Sequence, residues 1–211
     1  MPIVSDEHRQ ARREQILLAA MGCVAEEGFH KTTMAQVIKA SGLSAGAVYG
    51  YFRSKQELIL AIADKALGYL DLALDDVLGM EPVPSPVDVT RYLTHTIAAR
   101  ADSGPVDLTR VVVAAWAEAV RDDTVRAAVA ERIGQLRHRY ADLIRAQQAA
   151  GVIDPTADPE VVAKSLFGVM PGFVLQRLVT RDVTADGYAD GYAALRTATT
   201  GAAAAQSGLD A

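Results

Sequence analysis

Residues 32–57 have the sequence TTMAQVIKASGLSAGAVYGYFRSKQE, and the helix signals in this stretch decide the fold. Thr33 and Gln36 have the spacing of a capping box, in which the threonine hydroxyl accepts a hydrogen bond from the third helical N–H and the glutamine reaches back to the cap. The short helix that follows ends at Gly42, because glycine adopts the left-handed conformation at little cost. Ser44 is a favourable cap for a second short helix. The stretch therefore predicts a helix-turn-helix.

The second helix of this pair has an outer face of small residues. Val48 and Phe52, four residues apart, form its predicted buried side. In a helix-turn-helix the second helix lies in the DNA major groove with its first residues at base edges. Helix N-termini also bind phosphate through free N–H groups, and a capping box at Ser54 and Glu57 adds one more such terminus. The outer positions are Ala45, Gly46, Ala47, Tyr49 and Gly50.

The composition of the 211 residues is that of an ordinary soluble protein, half hydrophobic and 22% charged. The net charge is −5, with 7 basic against 5 acidic residues over 1–55 and 14 against 21 over 56–211. Cys23 is the only cysteine, so no disulfide forms within the chain, and we interpret it as a small core residue rather than a sensor thiol. No signal peptide and no run of about 18 apolar residues is recognisable. These features predict a cytoplasmic protein without a membrane span.

The rest of the chain predicts an all-α protein of about nine helices. Apolar residues recur at spacings of three and four, without the alternation that indicates strands. A first helix over 8–27 stops at Gly28, and three prolines between Gly79 and Pro86 interrupt the pattern after a long fourth helix. We predict a three-helix helix-turn-helix domain over 1–55, joined by that fourth helix to a larger helical domain over 56–200. Residues 201–211 are small and polar and predict a disordered tail. The later helices are predicted over 86–101, 106–120, 123–150, 159–179 and 185–199.

The stretch from Thr32 to Leu58 resembles the DNA-binding signature of the TetR (tetracycline-repressor) family of bacterial transcriptional regulators. The resemblance covers about residues 10–65. It rests on the first helix, the Thr-Thr cap, the Gly-x-Ser turn, Tyr-x-Tyr-Phe and Ser-Lys-x-Glu-Leu, in this order. The residues beyond are similar only in style to that family's divergent ligand-binding and dimerisation domain. The resemblance implies a homodimer in which the last two helices of each subunit, over 159–179 and 185–199, form the interface.

The resemblance also implies roles at DNA. Thr33 and Lys55, each at the start of a helix, would contact phosphate. Tyr49 would place its ring and hydroxyl on a phosphate or a base edge, with Tyr51 near the DNA backbone. The residues predicted to bind DNA are Thr33, Gln36, Lys39, Ser44, Ala45, Gly46, Ala47, Tyr49, Gly50, Tyr51 and Lys55.

The chain departs from the family's pattern in the second helix of the motif. Ala45, Ala47 and Gly50 stand where the family often has Lys or Arg, Thr and His, which removes hydrogen-bonded base contacts. Ala47 can still pack on a thymine methyl group, and Gln36 or Lys39 can contribute from the preceding helix.

Several of these assignments have a structural alternative. Tyr49 can be an amphipathic surface tyrosine, and Lys55 can be a solvated lysine. Arg9, Arg12 and Arg13 fit either a minor-groove arm or the solvated face of the first helix.

Candidates for a small-molecule pocket come from the C-terminal helices. Pockets in helical proteins form between helices and combine apolar walls with a few polar groups. Aromatic residues and methionines at helical spacing also fit core packing, so every candidate has this alternative. Pro171 predicts a kink that could hinge the pocket or serve packing alone. The candidates are Tyr92, His95, Thr96, Trp116, Tyr140, Phe167, Met170, Phe173, Gln176 and Arg177.

The pattern as a whole predicts a homodimeric, ligand-responsive regulator, a repressor in the first instance, that binds a double-stranded DNA operator and an unknown small-molecule effector. No cofactor or metal is predicted. An all-helical enzyme is the first alternative, but the four histidines have no metal-ligand spacing, and HExxH, CxxC, GxSxG and P-loop patterns are absent. A helical protein-interaction adaptor is the second, and salt-dependent DNA binding distinguishes it from a regulator.

Overall fold

The structure, a computed structural model, describes residues 6–206, with side chains as far as residue 195. Nine helices and no strand occur in this range, which confirms the predicted all-α fold. The helices are α1 (Asp6–Lys31), α2 (Met34–Ser41), α3 (Ala45–Tyr51), α4 (Lys55–Leu78), α5 (Pro86–Ser103), α6 (Leu108–Ala119), α7 (Asp123–Ala149), α8 (Pro159–Val179) and α9 (Ala185–Gln206).

Helix ends follow the predicted caps and breakers with two differences. α1 extends to Lys31, beyond the end predicted at Gly28. Gly28 nevertheless has the non-helical angles φ 77° and ψ 167°, so the helix is interrupted at the predicted residue. α9 continues to Gln206, so residues 201–206 of the tail predicted to be disordered are helical. Residues 207–211 of that tail lie outside the described residues.

The chain packs as two compact units. Unit 1 contains the described residues up to Asp71 together with Ala99–Leu136, and unit 2 contains Leu72–Ala98 together with the described residues from Arg137 onward. α4, α5 and α7 therefore contribute to both units. The predicted division between residues 55 and 56 follows the helix-turn-helix motif rather than this packing, and it stays a prediction about function.

The core of unit 1 is built on the apolar stripe predicted for the first helix. Ile16, Ala20 and Met21 have no exposed surface. α6 packs against α1 in the same unit and adds Val111 and Ala115 to the core. The sequence had placed this segment in the C-terminal domain, because helical periodicity identifies an apolar face without identifying its partner.

Ion pairs of Arg132 link α7 to α4 within unit 1. Its guanidinium forms an ion pair with Asp71, and its Nε lies 3.6 Å from Oδ1 of Asp64. A Cβ atom at Gly68 would lie 3.3 Å from Nη2 of Arg132, so the glycine leaves room for the guanidinium. The Arg132 and Asp71 side chains are 23% and 17% exposed, so solvent screens this pair only in part. The contact fixes α4, the helix that begins at Lys55.

In unit 2, α8 is held by contacts to α7 and α9. The rings of Tyr140 on α7 and Phe167 on α8 meet edge to face, with centroids 6.1 Å apart. The Tyr188 hydroxyl on α9 donates to the Val169 carbonyl at 2.9 Å. A Cβ atom at Gly172 would lie 2.7 Å from the same hydroxyl, so any larger residue there would displace Tyr188.

By length and composition, α8 is the one described helix that could cross a membrane. Its most apolar window has a mean hydropathy of 1.2, and 28% of that window is buried. Ala163, Leu166 and Phe173 from this helix are buried in unit 2, and core helices of soluble proteins pass the same test. The prediction of no membrane span stays a prediction.

Candidate nucleic-acid interface

The caps that the sequence predicts form the helix-turn-helix. The Thr33 hydroxyl accepts from the Gln36 N–H at 3.3 Å, while Oε1 of Gln36 accepts from the Thr33 N–H at 2.7 Å. Gly42 ends α2 at φ 68°, in the left-handed region. The Ser44 hydroxyl then accepts from the Ala47 N–H at 3.2 Å and starts α3. Local hydrogen bonds therefore set the turn between the two helices.

Residues of α1 hold both short helices in position. Nε2 of Gln15 donates to the Ser41 carbonyl at the end of α2, at 2.8 Å. The guanidinium of Arg13 lies 5.2 Å from the ring centroid of Phe52, which caps α3. Arg12 donates to Gln15 at 2.7 Å. These contacts favour the helix-face interpretation of Arg12 and Arg13 over a minor-groove arm.

The outer face of α3 is open to solvent. Val48 and Phe52 are 0% and 1% exposed, so the predicted buried side is confirmed. Tyr51 is half-buried against the core of unit 1. Tyr49 is 46% exposed, which a DNA contact requires and a core tyrosine would not show. Ala47 is half-buried, and the other small residues of the face are exposed, namely Ala45, Gly46 and Gly50, as is the cap Ser44.

At α2 and its cap Thr33, two of the three residues predicted to contact DNA form side-chain hydrogen bonds within the motif, and the side chain of the third, Lys39, does not. Both ends of the Gln36 amide are engaged, since its oxygen accepts from Thr33 and its Nε2 donates to Glu27 at 2.8 Å. The Thr33 hydroxyl lies in the same capping box, although the residue is exposed. Lys39 is exposed, and among the described residues it has no ion-pair partner. Of the three, only Lys39 is both exposed and without a side-chain partner among the described residues.

The N-terminus of α4 combines a free helix end with basic side chains. Half of the predicted capping box is present, since the Glu57 N–H donates to the Ser54 hydroxyl at 3.1 Å. The Glu57 carboxylate accepts from the Arg53 N–H at 2.8 Å instead of from the N–H of the cap residue Ser54. Lys55 is half-buried, and its Nζ donates to the His30 carbonyl at 3.2 Å. Arg53 is exposed without an ion-pair partner among the described residues. Arg53 is not among the residues predicted to bind DNA, although the sequence shows a second basic residue directly before Ser54 and Lys55.

Four of the predicted effector residues are apolar or aromatic groups of unit 2. Tyr140, Met170 and Phe173 are at most 3% exposed, and Phe167 is half-buried against Tyr140. Phe173 also packs on Tyr188, with ring centroids 5.3 Å apart. The Tyr140 hydroxyl has no hydrogen-bond partner, and burial raises its pKa. The structure thus brings the aromatic candidates of α7 and α8 together.

The polar candidates of α5 lie nearer the surface. The Tyr92 hydroxyl donates to Asp76 at 2.8 Å. Nε2 of His95, an exposed residue, lies 2.9 Å from Asp186, which also pairs with Arg91. The hydrogen bonds from His95 and then Arg91 lower the pKa of Asp186. These side chains are engaged in surface pairs that connect α5 with α4 and α9.

The remaining candidates do not form one cluster. Trp116 belongs to unit 1, where it packs against the core around α1. Thr96 and Arg177 are half-buried in unit 2. Gln176 is exposed and lines a groove of about 820 Å³ along α8 and α9, together with Val169, Tyr188, Tyr192 and Leu195. In the described part of the chain, no group of three or more His, Cys, Asp or Glu residues could hold a metal ion.

Two models of known protein families match the chain. One is described as "Bacterial regulatory proteins, tetR family" and matches residues 16–62, which include α2 and α3. The other is described as "BetI-type transcriptional repressor, C-terminal" and matches residues 90–204, more than half of the chain.

Individual relatives agree with these matches. An HTH-type transcriptional repressor of Mycobacterium tuberculosis is 31% identical over 86% of this chain and 90% of the relative. The HTH-type transcriptional regulator BetI of Rhizobium meliloti is 26% identical over 84% and 82%. Salmonella enterica GusR has a similar structure, with a TM-score of 0.72 and 28% identity over 94% of this chain and 97% of that protein. A transcriptional regulator from Saccharomonospora viridis, solved in complex with choline, shares the fold with a TM-score of 0.69 and 18% identity over 86% and 93%.

Proposed function

The chain belongs to the TetR family of bacterial transcriptional regulators, which bind DNA and are not enzymes, and on that premise we propose that it is a homodimeric repressor released from its operator by a small molecule. DNA binding would belong to residues 1–55, and effector binding and dimerisation to residues 56–200. A protein that acts on the bacterial chromosome would work in the cytoplasm.

The exposed face of α3 is the observation that carries the DNA-binding part of the proposal. Tyr49 stands out from a surface of alanine and glycine, so that the helix can approach base edges closely and the tyrosine can reach a base or phosphate. Lys39 on α2, Arg53 after α3 and Lys55 at the start of α4 add positive charge to the motif for phosphates. Ala47, which is only partly accessible, is suited to an apolar contact such as a thymine methyl group.

Exposed apolar side chains on α8 and α9 support the dimer. Val161, Leu175, Val179 and Leu195 are between 45% and 75% exposed. Single exposed apolar residues are ordinary, but several on two neighbouring helices favour a protein partner. Leu166 and Val174 on α8 are buried within unit 2.

A dimer with two helix-turn-helix units would read two half-sites about 34–36 Å apart. An effector that prefers the conformation with a different separation would release the DNA. A preference of about 1–3 kcal/mol is enough for a useful response. One relative was solved with choline, which supports a small organic effector for this chain as well.

Selection of binding sites from random double-stranded DNA tests the proposal. We expect a palindromic site with half-sites one helical turn apart, bound by the wild-type chain in a gel-shift assay. Tyr49→Ala should bind this site more weakly, and Leu72→Ala, at an exposed residue outside the motif, should bind it normally. Recovery of no preferred sequence, together with binding that does not respond to salt, would favour the adaptor alternative.

A further inference from the structure

Two buried polar atoms on α7 of unit 2 have no partner. They are the hydroxyl of Tyr140 and Oε1 of Gln147, from residues that are 1% and 0% exposed. The amide nitrogen of Gln147 is engaged, since it donates to the Pro84 carbonyl at 2.6 Å. Buried polar groups are nearly always hydrogen-bonded, so each exception in a native protein requires an explanation.

The two atoms belong to one face of the helix. Residues seven apart are separated by about two turns, so Tyr140 and Gln147 point to the same side of α7, about 10 Å apart along its axis. The other buried polar side chains of unit 2 are satisfied locally. Thr90 donates to the Pro86 carbonyl at 2.8 Å, and Thr94 donates to the Arg91 carbonyl at 3.0 Å.

The helix that covers Tyr140 is weakened at the point of contact. Phe167 on α8 packs edge to face with the Tyr140 ring and is itself half-buried. Pro171, four residues later inside α8, has no N–H to donate to the Phe167 carbonyl. A helix that lacks this bond bends more readily there. Phe167 is therefore suited to move when a ligand approaches Tyr140.

The chemistry of this region favours an uncharged ligand. Among the described residues of unit 2, the buried polar side chains are Thr90, Thr94 and Gln147, and no charged side chain is buried. A charged ligand would lose its hydration without gaining an opposite charge.

We infer that the effector is an uncharged, mostly apolar molecule with a hydroxyl or carbonyl group that hydrogen-bonds to the Tyr140 hydroxyl. This inference rests on the proposed function, because it names the ligand class of the effector site. The unpartnered oxygen of Gln147, which can only accept, suits a second neutral donor on the same molecule.

Calorimetric titration of the full chain with three probes of equal chain length tests the ligand class. The probes are 1-octanol, octanoate and octyltrimethylammonium, which differ in the charge of the head group. We expect 1-octanol to bind and both ions to bind at least tenfold more weakly. Tyr140→Phe should weaken 1-octanol binding about three- to tenfold, the loss that one hydrogen bond accounts for. Tyr69→Phe, at a half-buried tyrosine of unit 1, should leave it unchanged.

Three results would overturn the inference: no binding of 1-octanol, binding of either ion as tight as that of 1-octanol, or an unchanged affinity in Tyr140→Phe. A gel shift on the same samples keeps the two proposals separate. If the chain binds no DNA, the proposed function fails while the titration still decides the ligand class. If it binds DNA but not 1-octanol, only the inference fails.

Discussion

Replacement of Lys55 by alanine gives the sharpest test of the proposed DNA contacts. Lys55 stands at the first residue of α4, where the free N–H groups of the helix already favour an anion. Its Nζ donates one of its three hydrogens to the His30 carbonyl, 3.2 Å away. The other two hydrogens can be donated to a phosphate. That bond also restrains the side chain near the end of α1, which reduces the conformational entropy lost when DNA binds.

The size of the effect follows from counterion release. Each neutralised phosphate contributes about 0.9 to the slope of log K against the logarithm of the salt concentration. The proposed dimer carries two copies of Lys55, so Lys55→Ala should lower the magnitude of the slope by about 1.8. Between about 50 and 200 mM salt, the wild type should therefore lose about tenfold more affinity than the variant does.

Fluorescence anisotropy with the selected operator and with an unrelated duplex, each over this salt range, measures the slopes. A phosphate contact predicts the same change on both duplexes, because phosphates carry no sequence information. The matched control is Arg121→Ala, which removes an equal charge at an exposed residue after α6, outside the helix-turn-helix. Its slope should stay close to that of the wild type.

An unchanged slope in Lys55→Ala would remove this lysine from the DNA contacts, and an equal change in Arg121→Ala would show that net charge alone is responsible. Loss of the bond to the His30 carbonyl should cost about 1 kcal/mol of folding free energy or less, since the group is partly exposed. A urea denaturation curve checks that the variant is still folded at the assay temperature.

Three further predictions concern single side chains. Tyr49→Ala should lower operator affinity while thermal stability stays the same, because the ring is 46% exposed; a parallel loss of stability in a melting curve would identify a packing role instead. Gly42→Ala should destabilise the protein by about 1 kcal/mol in urea, since φ is 68°. Gly46 lies within α3, and no atom lies within 4 Å of the Cβ that alanine would add. Gly46→Ala should therefore leave the free energy of unfolding unchanged or raise it by up to about 1 kcal/mol. Equal effects at the two glycines would contradict the turn geometry. Tyr140→Phe should not destabilise the unliganded protein, because its hydroxyl has no partner, whereas Tyr188→Phe should cost about 0.5–1.5 kcal/mol through the lost bond to Val169. A larger loss in Tyr140→Phe than in Tyr188→Phe would mean that the Tyr140 hydroxyl is bonded after all.

The local part of the fold could be predicted because its causes lie within a few residues of one another. The capping box at Thr33, the left-handed Gly42 and the cap at Ser44 each act over three or four positions, and all three occur in the structure as predicted. The apolar stripe of α1 and the buried side of α3 were predictable for the same reason, since a helix brings residues three and four apart onto one face.

Contacts between distant parts of the chain could not be predicted in this way. Trp116 fitted the composition of an effector pocket, but α6 packs against α1 and carries it into unit 1. Gln36 was predicted to contact a base, but in the structure its amide nitrogen donates to Glu27, nine residues earlier. An apolar face or a polar side chain fits many partners, and the pairing depends on how every helix packs at once.

The helical character of the chain, the start and turn of its helix-turn-helix and the bare face of α3 thus follow from local sequence, because backbone caps and helical periodicity are short-range effects. Which of the predicted side chains remain available depends on how the helices pack. It left Tyr49 and Lys39 exposed, tied Gln36 to Glu27, and buried the Tyr140 hydroxyl without a partner. Burial and hydrogen bonding are properties of the packed chain, since each depends on residues that only folding brings together.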